Sequence, residues 1–494
     1  MTHTGRPSAD EAARLLRAGL FIGGDWVDRT AGGEYAHHDQ TTGRLQQVVP
    51  LGTADDVDHA VRDARAAFRT WGTLGPDRRR TMLLKLADLL REHADEMATI
   101  ATLENAVPSA FSGLLAGYGP ADWFTYYAGW ADKIEGTSLR PLGYGGFDYT
   151  VPEPFGVIAV VIPWNGPVTT LGMKVAPALA AGNCVVLKPS EFAPFTTLRF
   201  AELAIEAGFP PGVINVVVGG ADAGDALVRH PGIDKISFTG GTATGQKILA
   251  TAAQNVVPTV MELGGKAANV VFPDVTLAAV IPQAVITSAM LSGQFCACPS
   301  RLLVHTDIYD EAVAMAEATA QCIALGDPFD SETMVGPMIN AAHRERVEAI
   351  IERARAEGNG RLLYGGSRPD ANPDGFFLTP TVFADVDHSS PLAQEEIFGP
   401  VLSITRFRDD DHAVKLANGT RYGLVSYVWT NDLTRAHEMA AQLRSGTVSI
   451  NAMMGFLTPN TPYGGVGASG FGREGGHEGL KEFLRTKNVY IGPQ

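Results

Sequence analysis

Two of the four cysteines in this 494-residue chain stand on one short stretch, Leu291-Ser-Gly-Gln-Phe-Cys-Ala-Cys-Pro-Ser-Arg301, a glycine-bearing turn beyond a long apolar segment rich in small residues. A thiol on such a turn is a candidate nucleophile, and Cys296 is the candidate; the competing reading of any intracellular cysteine is a small buried hydrophobe. The Cys296-Ala-Cys298 spacing would suit a soft metal, but no matching His or Cys pair lies near it and no metal is expected. What decides the thiol's role is the company it keeps.

That company is spread along the chain. Val260-Met-Glu262-Leu-Gly-Gly-Lys266 puts one carboxylate at a strand end beside an apolar stretch, where poor hydration raises its proton affinity and makes it a base near neutral pH. Ile162-Pro-Trp-Asn165-Gly-Pro167 ends a buried strand and offers the side-chain N–H donors of Asn165, with a plain turn residue as the alternative. Lys188-Pro-Ser190-Glu191 ends the next strand with a cation, a hydroxyl and an acid suited to a ribose. Phe238-Thr-Gly240-Gly241-Thr-Ala-Thr-Gly245 ends a third and opens a helix whose free N–H groups suit a pyrophosphate. Neither standard phosphate motif is present: Gln246 stands where a P-loop needs Lys, and no G-x-G-x-x-G follows the first strand.

The elements that carry these residues read as follows. Leu20 to Asp28 is strand, turn and strand around Gly23-Gly24; Thr53-Ala-Asp-Asp56 caps an amphipathic helix. A second helix is expected from Pro76 to about Met97 and a third from Trp123 to Ile134. The Gly/Pro-rich segment from Gly136 to Pro154 predicts a protruding hairpin. From Val157 onward, short apolar runs alternate with helices, which predicts a parallel sheet covered on both faces. A second such series begins near Val270. The fold class is therefore α/β, with two open parallel-sheet domains.

Length alone excludes a single core. The hydrophobic content of 45%, charged content of 19% and mean hydropathy of +0.03 describe a globular protein. The formal charge of −15 argues against nucleic acid. Apolar runs such as Val157 to Pro163 are far short of a bilayer span, the first twenty residues lack a secretory pattern, and four cysteines make no disulfide framework. A reducing, cytoplasmic location is expected, with no membrane partner.

Together these stretches resemble the aldehyde dehydrogenase superfamily, from about Phe21 to the C-terminus, through the motifs PWNGP, KPSE, FTGGTATG, MELGGK, GQFC, EEIFGPV (Glu395 to Val401) and PYGGVGASGFGRE (Pro462 to Glu474). The resemblance implies a Rossmann-like cofactor domain (1–131 and 155–264), a catalytic domain (265–465) and oligomerisation strands (132–154 and 480–494). It implies Cys296 as nucleophile, Asn165 with the Cys296 backbone N–H for the oxyanion, Glu262 as the base for hydrolysis, and Lys174 and Glu474 as groups relaying its proton. The implied cofactor is NAD, with NADP as the alternative because Lys188 softens the repulsion that Glu191 exerts on a 2′-phosphate. Its contacts would be Ile162, Pro163, Trp164, Lys188, Ser190, Glu191, Gly220, Gly224, Phe238, Thr239, Gly240, Gly241, Thr244, Leu263, Glu396 and Phe398.

The implied substrate tunnel includes Gly166, Met173, Phe295, Phe456 and Tyr463, with Gly119 and Trp123 nearby and no Arg to pair a carboxylate. An apolar aliphatic or aromatic aldehyde is expected. Cys298 reads as packing, and Gly467 stands where many members carry Lys. The resemblance implies oxidation to the carboxylic acid by a hydrolytic, non-acylating enzyme, working as a dimer or tetramer. The alternatives are a CoA-acylating semialdehyde dehydrogenase and a non-enzymatic binding protein of the same fold.

Overall fold

The computed structural model describes residues 5–143, 145–453, 455 and 457–493. Their strands form four sheets. The largest has eight strands, in the order Gly470–Phe471, Thr259–Glu262, Lys235–Thr239, Val157–Val161, Cys184–Lys188, Ile214–Val216, Leu20–Ile22 and Asp25–Val27. The five central strands are parallel and wholly or largely buried, which is why Val157–Val161 and Cys184–Lys188 are near-continuous apolar runs rather than alternating ones. The edges run antiparallel: Leu20–Ile22 meets Ile214–Val216 on one side, and Gly470–Phe471 meets Thr259–Glu262 on the other. Chain order reverses where Val157–Val161 lies between Cys184–Lys188 and Lys235–Thr239. That is a topological switch point, and the PWN and FTGG stretches leave the carboxyl ends of the strands that form it.

The second sheet has seven strands, in the order Arg361–Tyr364, Thr381–Ala384, Val401–Phe407, Arg301–His305, Ala268–Val271, Val425–Trp429 and Thr447–Ile450. All neighbours pair in parallel except the first two. Phe147–Pro154 pairs antiparallel with both Ser138–Leu139 and the last strand, Leu484–Ile491, so the expected hairpin is part of a three-stranded sheet that includes the chain's end.

Capping chemistry was legible. Thr53 and Asp56 form a reciprocal capping box at the start of Ala54–Trp71, and Asn340 caps Ala341–Ala356. The single helix expected from Pro76 to Met97 is two, Pro76–Glu92 and Ala94–Asn105, broken at His93. Leu86, Leu90, Met97 and Ala101 are all buried across the break, so the apolar period passes through it and conceals it. The helix expected over Trp123–Ile134 is Gly119–Ala128, entered through a π-helical turn at Gly113–Tyr118.

Candidate active site

Cys296 is positioned by a backbone knot. The helix Leu277–Ala289 ends, Leu291 and Ser292 both take left-handed conformations, and Gly293 follows at φ +67°. A Cβ on Gly293 would stand 2.1 Å from the Gly399 carbonyl, so glycine is obligatory there. The Ser292 hydroxyl holds the turn by donating to the Gly336 carbonyl at 2.6 Å. The thiol that emerges is half-buried and lines two cavities at once.

One cavity, of about 120 Å³, is apolar. Gly166, Met173, Phe295 and Tyr463 line it, as do Asn165, Glu262 and Glu474. Gly119 and Trp123 do not: Trp123 is buried against Gly172, whose Cβ would come within 2.8 Å of the indole. Phe456 lies outside the described residues; its neighbour Leu457 is on the wall. No Arg or Lys reaches this cavity among the described residues.

On the thiol's other side, a cavity of about 330 Å³ is lined by Leu263, Glu396 and Phe398, and a groove of about 490 Å³ by Ile162, Lys188, Ser190, Glu191, Gly220, Gly224, Phe238 and Thr244. Pro163, Trp164, Thr239, Gly240 and Gly241 line both, so the two spaces form one path along the switch point. This path fits an extended nucleotide cofactor. The Thr239 hydroxyl is buried without a partner on it. The helix Thr242–Asn255 opens there with no side-chain cap, and a Cβ on its N-cap, Gly241, would meet nothing within 4 Å. Lys188 Nζ donates to the Pro189 carbonyl at 3.0 Å and to the Gly219 carbonyl, and burial draws its pKa down to about 8. Glu396 accepts from the Gly265 N–H at 3.0 Å, and burial raises its pKa.

Behind the thiol, both carboxylate oxygens of Glu262 are buried without hydrogen-bond partners. Burial pushes its pKa well above the usual carboxylate range, Glu474 adds to the rise, and Lys174 opposes it. Lys174 is fully buried; its ammonium pairs with Glu474 and donates to Ser237 Oγ at 3.0 Å. Neither Lys174 nor Glu474 is therefore a surface ion. Asn165 donates one N–H to the Gln294 carbonyl at 2.8 Å while its amide lines both thiol cavities. Cys296 Sγ lies 3.2 Å from Tyr463 Oη. Burial raises the thiol's pKa, and Glu262 raises it further. Cys298 is buried, its thiol donating to the Ser288 carbonyl at 3.4 Å.

Several wall residues carried no sequence signal. Asn105, at the end of Ala94–Asn105, lines the apolar cavity and donates to the Trp164 carbonyl at 3.1 Å. His343 and Arg346 donate to the Phe398 carbonyl, at 2.8 Å for His343, and to the Ile397 carbonyl, holding Phe398 at φ +56°. Lys247 and Asp225 line the groove. Their helices read as ordinary amphipathic ones, and the i, i+3 spacing of His343 and Arg346 is one that any helix face shows.

A path of this length across a switch point, stopping at a thiol that a second cavity reaches from the far side, is the layout of a dinucleotide-dependent oxidoreductase. The comparisons with known proteins agree on which kind. The model of the aldehyde dehydrogenase family matches residues 26–489. Hydroxyisobutyraldehyde dehydrogenase of Mycolicibacterium austroafricanum is 39% identical over 98% of this chain and 96% of its own. Geranial dehydrogenase of Castellaniella defragrans is 40% identical over 96% and 98%. Among solved structures, PnpE from Pseudomonas sp. WBC-3 in complex with nicotinamide adenine dinucleotide is 41% identical, covers 97% of this chain and 98% of its own, and superposes with a TM-score of 0.94. Betaine aldehyde dehydrogenase of Staphylococcus aureus in complex with NAD+ is 35% identical at a TM-score of 0.95, over 98% of each chain. The chain belongs to the aldehyde dehydrogenase family, and it is an NAD(P)-dependent aldehyde dehydrogenase.

Proposed function

We propose that the enzyme oxidises an apolar aliphatic or aromatic aldehyde to its carboxylic acid, with NAD as oxidant and water as acyl acceptor. The observation that carries this reading is the Cys296 thiol on the wall common to an apolar cavity and the path at the switch point. The thiolate adds to the aldehyde carbon, and the carbonyl oxygen becomes an alkoxide held by the Asn165 amide and the Cys296 backbone N–H. When bound, NAD supplies a hydride acceptor at its nicotinamide. The product on the enzyme is a thioester. Glu262 takes a proton from water, the water oxygen attacks the acyl carbon, the C–S bond breaks, and the carboxylic acid leaves while Cys296 is restored as its thiolate. Glu262 must ionise for each such event, and Glu474, paired with Lys174, is the group that takes its proton onward.

Lys188, Ser190, Glu191, Gly220, Gly224 and the Gly241 helix start would hold the adenosine and pyrophosphate; Glu396 and Phe398 would hold the nicotinamide side. NAD is preferred because Glu191 repels a 2′-phosphate while Lys188 is engaged by two carbonyls. The apolar, Arg-free wall supports an uncharged substrate. A reducing, cytoplasmic location agrees with four unbonded cysteines, and the exposed three-stranded sheet supports a dimer or tetramer.

The test is a screen for NADH or NADPH formation over medium-chain, terpenoid, benzaldehyde-like and semialdehyde substrates, with and without CoA. Preference for an uncharged aldehyde with NAD, giving free acid, is the expected result. Succinic semialdehyde ranked far above the others, or acyl-CoA as the product, overturns the reading of substrate or acceptor respectively.

A further inference from the structure

The nucleophile is crowded by acids. Glu262, Glu396 and Glu474 all raise the proton affinity of Cys296, after burial itself, and the Tyr463 hydroxyl works in the other direction. Tyr427, the other tyrosine close to the thiol, spends its own hydroxyl on the Ala297 carbonyl at 2.9 Å. Tyr463 is held in place from behind. Its backbone N–H donates to the Glu474 carbonyl at 2.6 Å, and the Glu474 N–H returns to the Tyr463 carbonyl at 2.7 Å.

This isolated bridge is made possible by flanking glycines. Gly464 has φ +150° and Gly475 φ +77°, and a Cβ on Gly475 would strike the Thr461 carbonyl at 2.2 Å. One bridge thus delivers two side chains to opposite ends of the same site: Glu474 to Lys174, and the Tyr463 hydroxyl to within 3.2 Å of Cys296 Sγ.

We propose that Tyr463 is a catalytic residue whose hydroxyl donates a hydrogen bond to the Cys296 sulfur and stabilises its thiolate. The assignment rests on Cys296 being the nucleophile. A phenol is the stronger donor of the two, and a thiolate is a much better acceptor than a thiol, so the contact tightens when the sulfur ionises. On ionisation the S–H bond breaks and its proton leaves to solvent water; the Tyr463 O–H bond stays intact with its hydrogen turned to sulfur. In a pocket lined by acids this contact favours the charged nucleophile where burial and three carboxyl groups oppose it.

The experiment is alkylation of Cys296 by iodoacetamide across pH, followed on the peptide that contains it, in wild type and Tyr463→Phe without aldehyde. Tyr463→Phe keeps the ring, and unchanged NAD affinity serves as the control that the site is folded. The apparent pKa for alkylation is expected to rise by about one pH unit, with the rate near neutrality down about tenfold and the two profiles converging at high pH. kcat/KM for aldehyde is expected to follow the same shift. Superimposable alkylation profiles overturn the proposal, even if turnover falls, because the hydroxyl would then act on the aldehyde. Cys296→Ala separates the two readings: NADH formation surviving that change removes the nucleophile assignment itself, whereas its loss together with unshifted alkylation in Tyr463→Phe removes only the role of the tyrosine.

Discussion

At the scale of single residues, the site is governed by what burial does to acids. Glu262 is a carboxyl with two unpartnered oxygens, and a charge left without hydrogen bonds in a low-dielectric pocket is costly enough to keep the proton on. Its folded-state pKa lies above the ordinary value, so the ionised fraction, and with it the rate of thioester hydrolysis, grows as pH climbs from the ordinary carboxylate range towards that raised value. For a substrate limited by hydrolysis, kcat is expected to rise with pH over this interval. In Glu262→Gln the rise should vanish and kcat should drop by about 10²- to 10⁴-fold, while rapid mixing still shows one equivalent of NADH per active site. Absence of that burst would mean the residue is needed before the thioester forms. The motifs that announced Cys296, Glu262 and Asn165 were readable because each places a reactive group at a strand end or turn. Asn105, His343 and Arg346 were not, because they reach the cavities from helices whose patterns serve packing equally well. The Tyr463 contact joins positions 167 apart in the chain, and no local pattern encodes it.

At the scale of elements, the helix Thr242–Asn255 has a start whose geometry makes a sharp distinction between folding and binding. Gly241 has φ −66° and ψ 143°, a conformation open to any residue, and its missing side chain points into open space. Gly241→Val is therefore expected to leave the thermal midpoint unchanged within a degree or two while raising KM for NAD about tenfold or more, since the added methyls stand where the pyrophosphate would meet the free N–H groups. A second element depends on the reverse logic. The carboxylate of buried Glu104 accepts from the Phe195 N–H at 2.7 Å, the Thr196 N–H at 3.2 Å and the Thr196 hydroxyl, capping the helix Phe195–Glu206 from the end of Ala94–Asn105. Glu104→Ala leaves those donors buried and unpaired, at a cost of about 2–4 kcal/mol, and should lower the calorimetric midpoint by several degrees; an unchanged midpoint would mean water takes over the cap. Local caps such as Thr53–Asp56 and Asn340 were legible because donor and acceptor are three residues apart. The Glu104 cap was not, because its partners lie 91 and 92 positions away. The break at His93 was missed for a related reason: no Gly or Pro marks it, and the apolar stripe continues on both sides.

At the scale of the whole molecule, parallel order was readable from the βαβ rhythm and the edge hairpin Leu20–Val27 from its Gly23-Gly24 turn, but the opposite edge was not, because Gly470–Phe471 joins the eight-stranded sheet from more than 200 residues beyond its partner Thr259–Glu262. The three-stranded sheet raises the same issue of edges in a form that extends past one chain. Phe147–Pro154 pairs along its full length with Leu484–Ile491, whereas on its other side the described residues show Asp148 and Tyr149 paired with Ser138–Leu139 and the Thr150 N–H donating to the Thr137 carbonyl at 2.9 Å. Leu139, Leu142, Phe147, Tyr490 and Ile491 are all exposed on or beside it. Unpaired edge positions and clustered apolar side chains on an exposed sheet are what association between copies would cover. If this sheet is the oligomerisation element, replacing Phe147 and Ile491, which are register partners, together with Asp should weaken association at least about tenfold. Sedimentation equilibrium would then show the 52.4 kDa chain moving from dimer or tetramer towards monomer, with iodoacetamide still labelling Cys296 at the wild-type rate because the thiol site is built from the other two large sheets. A wild-type chain that sediments as a monomer, or a double variant that stays fully associated, would remove this sheet from the interface and leave the exposed residues without an assigned partner.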